Sequence, residues 1–149
     1  MKVEVVIKRL RVFLLGSSIF IFTGTLLELL ALRHYREELQ WIPLVLSSLG
    51  IVLVASFLVK PGRSMIRVIQ IGMGIIATGG LFGTIIHISG NLESLVEAGR
   101  MMNLQNLFYT IAGGRNPLLA PGILTIAAAL SLAAVYRHPA GEALQKKDK

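Results

Sequence analysis

Two ionisable residues stand inside long apolar stretches and are the first candidates for chemistry. His87 lies in a run from Val68 to Leu92 that has no Asp, Glu, Lys or Arg, and Glu28 interrupts the run from Val12 to Leu32. An ionisable group within a bilayer is costly, so it normally faces protein or water. Read as helices crossing in the same direction, the two stretches place each residue roughly 6–8 Å below the outer boundary. A carboxylate and an imidazole at one depth could bind a quinone headgroup, a metal, a pigment or a proton. The plainer reading is equally open: the two groups satisfy each other between packed helices, or Glu28 reaches up to the interface. Asn91 and Glu93 extend the polar rim above His87, and Tyr35 continues the Glu28 face of its helix.

The surroundings of His87 are unusual in their glycines. At about 100° per residue, Gly72, Gly79, Gly83, His87 and Gly90 fall in one stripe, with Gly80 at its edge. Absent side chains let a neighbouring backbone or a flat ligand come close. Such a groove around a membrane histidine is compatible with single-histidine ligation of haem or chlorophyll, since His is a frequent axial ligand. A bis-histidine site is not expected: His34 falls about 9 Å beyond Glu28 on an extended helix, at the membrane edge, and His138 belongs to the opposite side. With no cysteine, thiolate sites and disulfides are excluded.

Four elements must position these residues. The chain is 54% hydrophobic and only 15% charged, well under the roughly 25% charge of soluble domains, and its charges cluster between long uncharged runs. Spans are expected at about 12–32, 41–59, 66–90 and 116–136, each near the roughly 20 residues that a bilayer requires. The net charge of +7 has a topological origin. Lys2, Lys8, Arg9 and Arg11, then Lys60, Arg63 and Arg67, then Arg137, Lys146, Lys147 and Lys149 form basic segments. Arg33, Arg36, Arg100 and Arg115 share their loops with Glu37, Glu38, Glu93 and Glu97. Alternating basic and neutral loops place both termini in the cytoplasm and speak against a nucleic-acid partner. In the outer loop 91–116, Leu104, Leu107, Phe108 and Ile111 repeat with helical spacing after Asn103, a candidate N-cap. They predict a short amphipathic interfacial helix that stops at Gly113-Gly114. Residues 137–149 form a basic cytoplasmic tail.

The expected fold is therefore all-α, a single multi-pass four-helix bundle in the plasma membrane, the bacterial inner membrane. Its plan resembles small four-span bacterial membrane proteins, and that resemblance carries no residues across. No nucleotide-binding, metalloprotease or serine-hydrolase motif is present. A non-catalytic accessory subunit of a larger membrane complex is the first functional expectation, with other subunits or further copies of the chain as partners beside the lipid. A redox or ligand-binding anchor centred on His87 and Glu28 is the alternative, and a small transporter the third.

Overall fold

The computed structural model describes residues 3–99, 103–113 and 119–142. The chain is all-α: α1 (Val3–Ala31), a single 3-10 turn (Glu38–Gln40), α2 (Trp41–Val59), α3 (Arg63–Glu97), α4 (Leu104–Gly113), α5 (Leu119–Val135) and the short α6 (Pro139–Glu142). Three helices, α1, α2 with the turn before it, and α3, are long and apolar enough to cross a membrane, which makes this a membrane protein. Helices suit that solvent because every backbone polar group finds its partner within the segment. Hydroxyls inside the helices are satisfied in the same way. Ser47 donates to the Pro43 carbonyl at 2.7 Å and Ser131 to that of Ala127 at 3.1 Å.

Helices α1, α2, α3 and α5 pack up-down-up-down, each against the next, with α5 closing back on α1. Consequently α1 and α3 occupy opposite corners, with α2 and α5 between them. The core is a central column that includes Leu15, Phe22, Val54, Phe57, Met73 and Ile76. The face that α1 buries is Leu15, Ser18, Phe22, Thr25 and Leu29, while Gly24, Glu28 and Ala31 beside it are exposed. Phe22 fills the space left by Gly50 of α2. Here the small residue and the large one belong to different helices, a pairing that neither helix shows alone.

Close approach is sharpest between α3 and α5. A Cβ on Gly80 would stand 2.5 Å from the Thr125 hydroxyl and 2.8 Å from the Pro121 carbonyl oxygen. The Thr125 hydroxyl instead reaches across to the Ala77 carbonyl at 3.2 Å. Ser18 makes the matching bond between α1 and α5, donating to the Ala127 carbonyl at 3.1 Å. On its other side α3 meets α2, where Gly72 faces Leu53 and Gly79 faces Leu46.

Element boundaries differ from the expected ones in two places. The basic lead-in is already helical from Val3, because nothing before Val12 breaks a helix. The third span does not end near residue 90. Leu92, Leu95 and Val96 keep the helical spacing, so α3 continues to Glu97 and the boundary expected at residue 91 lies inside a helix. It ends where Gly99 takes a left-handed φ of 62° and donates to the Val96 carbonyl, the usual glycine stop. Helix α4 starts as expected, with the Asn103 side-chain oxygen accepting the Asn106 N–H at 2.7 Å. The Gly114 stop, the start of the fourth segment at 116–118 and the tail from residue 143 lie outside the described residues.

The contrast between two glycines of α3 tests this packing. Gly80→Ala should destabilise the protein by about 1–3 kcal/mol through overpacking against backbone. Gly74→Ala meets open space and should raise stability by roughly 0.5–1 kcal/mol through helix propensity. Thermal unfolding in detergent reads both, and a Gly80→Ala variant as stable as wild type would refute the close crossing.

Candidate functional site

The α3 glycines that separate these helices also leave a cavity of about 270 Å³ at the end of the bundle where α1 stops and α2 begins. Gly79, Gly80, Gly83 and Gly90 form one wall and His87 stands among them. Leu29 of α1, Pro43 and Leu46 of α2, and Pro121 and Leu124 of α5 supply the apolar remainder. Ile42, Phe82 and Ile86 line the cavity and are also exposed on the bundle surface. The cavity therefore opens sideways between α2 and α3.

Its outer end is closed by the segment between α1 and α2. Helix α1 ends in a double turn of backbone bonds: the His34 N–H donates to the Leu29 carbonyl at 2.8 Å and the Arg33 N–H to that of Leu30 at 3.1 Å. This is the Schellman arrangement, which requires a left-handed residue between helix and exit. Arg33 fills that role with a φ of 52°. The reversal throws His34 back over the helix it has just left, into the cavity beside Leu29. Gln40 then holds the loop, its side-chain oxygen accepting the Arg36 N–H at 2.9 Å. Tyr35 and Trp41 pack ring against ring outside, with centroids 6.2 Å apart.

His34 departs from the expectation that it would lie at the membrane edge, away from any site shared with His87. That expectation continued α1 as a straight rod; the helix stops at Ala31 and the chain folds back. His34 and His87 both line the cavity, with Glu37 and Gln40 at its polar end. Burial, then the neighbouring His87, hold the His34 imidazole below its ordinary pKa, with Glu37 pulling the other way. The shift favours the neutral imidazole of His34, in which one ring nitrogen can accept a hydrogen bond or bind a metal.

Of the residues singled out from sequence, the structure brings Gly79, Gly80, Gly83, Gly90 and His87 together around this space. Gly72 packs against Leu53 lower on the same helix. Glu28 is exposed on α1, one residue before the lining residue Leu29, and does not line the cavity. Asn91 is fully buried in the extension of α3, while Glu93 and Tyr35 are exposed. The residues that sequence reasoning missed are His34, Glu37 and Gln40. The one local signal was weak, because the segment 30–40 holds no Gly or Asn to mark the left-handed cap. Among the described residues no group of three or more metal-ligating side chains converges. The cavity volume lies just under the roughly 300–1,000 Å³ of drug-sized sites, small for a macrocycle and sufficient for a single substituted ring.

A histidine whose pKa is depressed by folding stabilises the folded state in its neutral form. That contribution is present above the unfolded value of 6.5 and is lost as pH falls below it, because the unfolded chain then binds the proton more readily. The thermal midpoint in detergent should drop between pH 7.5 and pH 5.5, and His34→Gln should flatten part of that drop. His138, also depressed, accounts for a further part and is unaffected by the His34 change. An unaltered profile in His34→Gln would separate His34 from the cavity. No protein-family model, no curated protein and no solved structure matches this chain, so the chemistry of the cavity rests on its own residues.

Proposed function

We propose that the protein binds the head of an amphipathic ring compound bearing carbonyl or hydroxyl oxygens, of the quinone type, in the cavity between His34 and His87. The observation that carries this reading is the pairing of two imidazoles with a glycine wall in one laterally open cavity. The glycines admit a flat ring, the imidazoles hydrogen-bond ring oxygens at its edge, and the opening between α2 and α3 leaves an isoprenoid or alkyl tail in the lipid. The site is then a ligand-binding anchor centred on His87, with His34 in the place first expected of Glu28.

The reading includes a topology. The chain crosses the bacterial inner membrane four times, with α5 as the fourth span and both termini in the cytoplasm. The support is that Lys8, Arg11 and Arg137 gather at one end of the bundle, while the 32–40 segment, with its balanced charges, closes the other. Because the protein has no cysteine, single cysteines at Ser64 and Ser94 should react with an impermeant thiol reagent from opposite faces of the membrane. Labelling from one face would refute it.

A second reading, an accessory subunit of a larger membrane complex, is favoured by one feature of α3. Gly74 meets nothing within 4 Å and Thr78, one turn on, is exposed. A small-xxx-small pair on an outward face suits close packing by another span. Co-migration with other membrane proteins on native electrophoresis, lost in Gly74→Leu, would favour it.

The binding reading is tested with a short-chain benzoquinone and the protein in lipid nanodiscs. Trp41, the only tryptophan, precedes the cavity residues Ile42 and Pro43 and reports occupancy by quenching. Saturable quenching is expected, with affinity falling about 5- to 10-fold in His87→Leu and in His34→Leu, the loss of one net hydrogen bond each. Quenching that never saturates, or that is the same in all three proteins, reflects partition into the bilayer and overturns the proposal.

A further inference from the structure

The opposite end of the bundle holds a second hollow, a groove of about 640 Å³ between the start of α1, the end of α2 and the end of α5. Its chemistry is divided by height. Lys8, Arg11 and Arg137 stand along the rim, and Val12, Leu15 and Phe57 form the floor. The division falls where α1 passes from its charged turns to its apolar run, between Arg11 and Val12. Among the described residues Glu4 is the one carboxylate that lines the groove, against the three cations Lys8, Arg11 and Arg137.

Arg11 is already partly committed. Its Nη2 donates to the Tyr136 carbonyl at 3.1 Å and to the Arg137 carbonyl at 2.9 Å, which caps the C-terminal end of α5. A guanidinium carries five N–H donors in a planar fork, so Nη1 and Nε remain for an anion. Beside it His138 packs edge-on against Phe57, centroids 5.2 Å apart. Burial first, then Arg11, hold His138 below its ordinary pKa. With Lys8, Arg11 and Arg137 against Glu4, the described lining of the groove carries an excess of positive charge.

We infer that this groove binds an anionic phospholipid, its phosphate held by Lys8, Arg11 and Arg137 and an acyl chain lying over Val12, Leu15 and Phe57. Free phosphate has no use for the apolar floor, and a zwitterionic lipid brings its own cation to a rim that already has an excess. The rest of this chain is a poor occupant, since the segment after Glu142 carries Lys146, Lys147 and Lys149 against a single Asp148. Basic pockets between membrane helices are suited to such headgroups, each cation near the surface contributing roughly a fivefold gain in affinity. This site is independent of the cavity at the other end.

The test measures thermal stabilisation and lipid retention in native mass spectrometry, for the full chain in neutral detergent. The added probes are dioleoyl-phosphatidylglycerol, dioleoyl-phosphatidylcholine or inorganic phosphate. Phosphatidylglycerol should stabilise the protein and remain bound at about one per chain; the other two should not. Arg11→Gln removes the α5 cap and can fail to fold, so the informative variants are Lys8→Gln and Arg137→Gln. Each should weaken phosphatidylglycerol binding roughly fivefold and the pair about 25-fold, with Arg36→Gln at the far end as the unaffected control. Equal effects of the two lipids, or unchanged binding in the double variant, would overturn the proposal. So would full stabilisation by inorganic phosphate alone, which would make the rim an anion site without a lipid.

Discussion

The crossing of α3 over α5 at Gly80 sets the rest of the structure. In a bilayer the lipid tails are as apolar as leucine, so helices gain little from hiding hydrophobic surface and associate through close packing and interhelical hydrogen bonds. At Gly80 the α3 backbone lies against the Pro121 carbonyl with no room for a methyl group, and the Thr125 hydroxyl bonds across to Ala77. Ser18 ties α1 to α5 in the same way. Helix α5, a single short segment between two long ones, is held from both sides: its Thr125 hydroxyl donates to α3, and its Ala127 carbonyl accepts from α1.

That contact has a consequence one turn further out. The stripe that lets α5 approach continues through Gly83 to Gly90. Beyond Pro121, among the described residues, nothing of comparable size fills the space it leaves. An unfilled hollow between packed helices forfeits dispersion contacts along its walls, and a half-buried imidazole adds a desolvation penalty. A protein optimised for packing alone would place leucines here. The glycines, His87 and the returning His34 instead build a hollow with polar groups at one end.

The two ends of the bundle use the same local device for different purposes. Helices α1 and α5 both stop at an arginine in the left-handed conformation, Arg33 at φ 52° and Arg137 at φ 43°, followed in each case by histidine. A side chain bearing Cβ pays roughly 1–2 kcal/mol to sit there. At the end of α1 the reversal delivers His34 to the cavity. At the end of α5 it turns carbonyls toward Arg11 and sets His138 against Phe57. One end thus gathers two imidazoles around a cavity, and the other a cluster of fixed cations.

Much of this was legible in the sequence, and the reason is periodicity. The uncharged runs fixed α2 to the residue, and Asn103 with its helical spacing marked the start of α4. The α3 glycines sharing a face with His87 followed from 100° per residue, a property of one helix considered alone. What a single helix cannot express is its neighbour. Glu28 and His87 were expected at one depth, but α1 and α3 stand at opposite corners, and depth says nothing about azimuth. His34 looked out of reach because a span that ends near residue 32 does not show in which direction the chain leaves it; Arg33 takes the left-handed position at a cost that only the packed loop offsets. The sequence by itself determined which stretches are helices and which face of α3 is bare. The tertiary structure decided which imidazole meets which, because that depends on how four helices are arranged around a shared axis and on one strained residue at the end of the first.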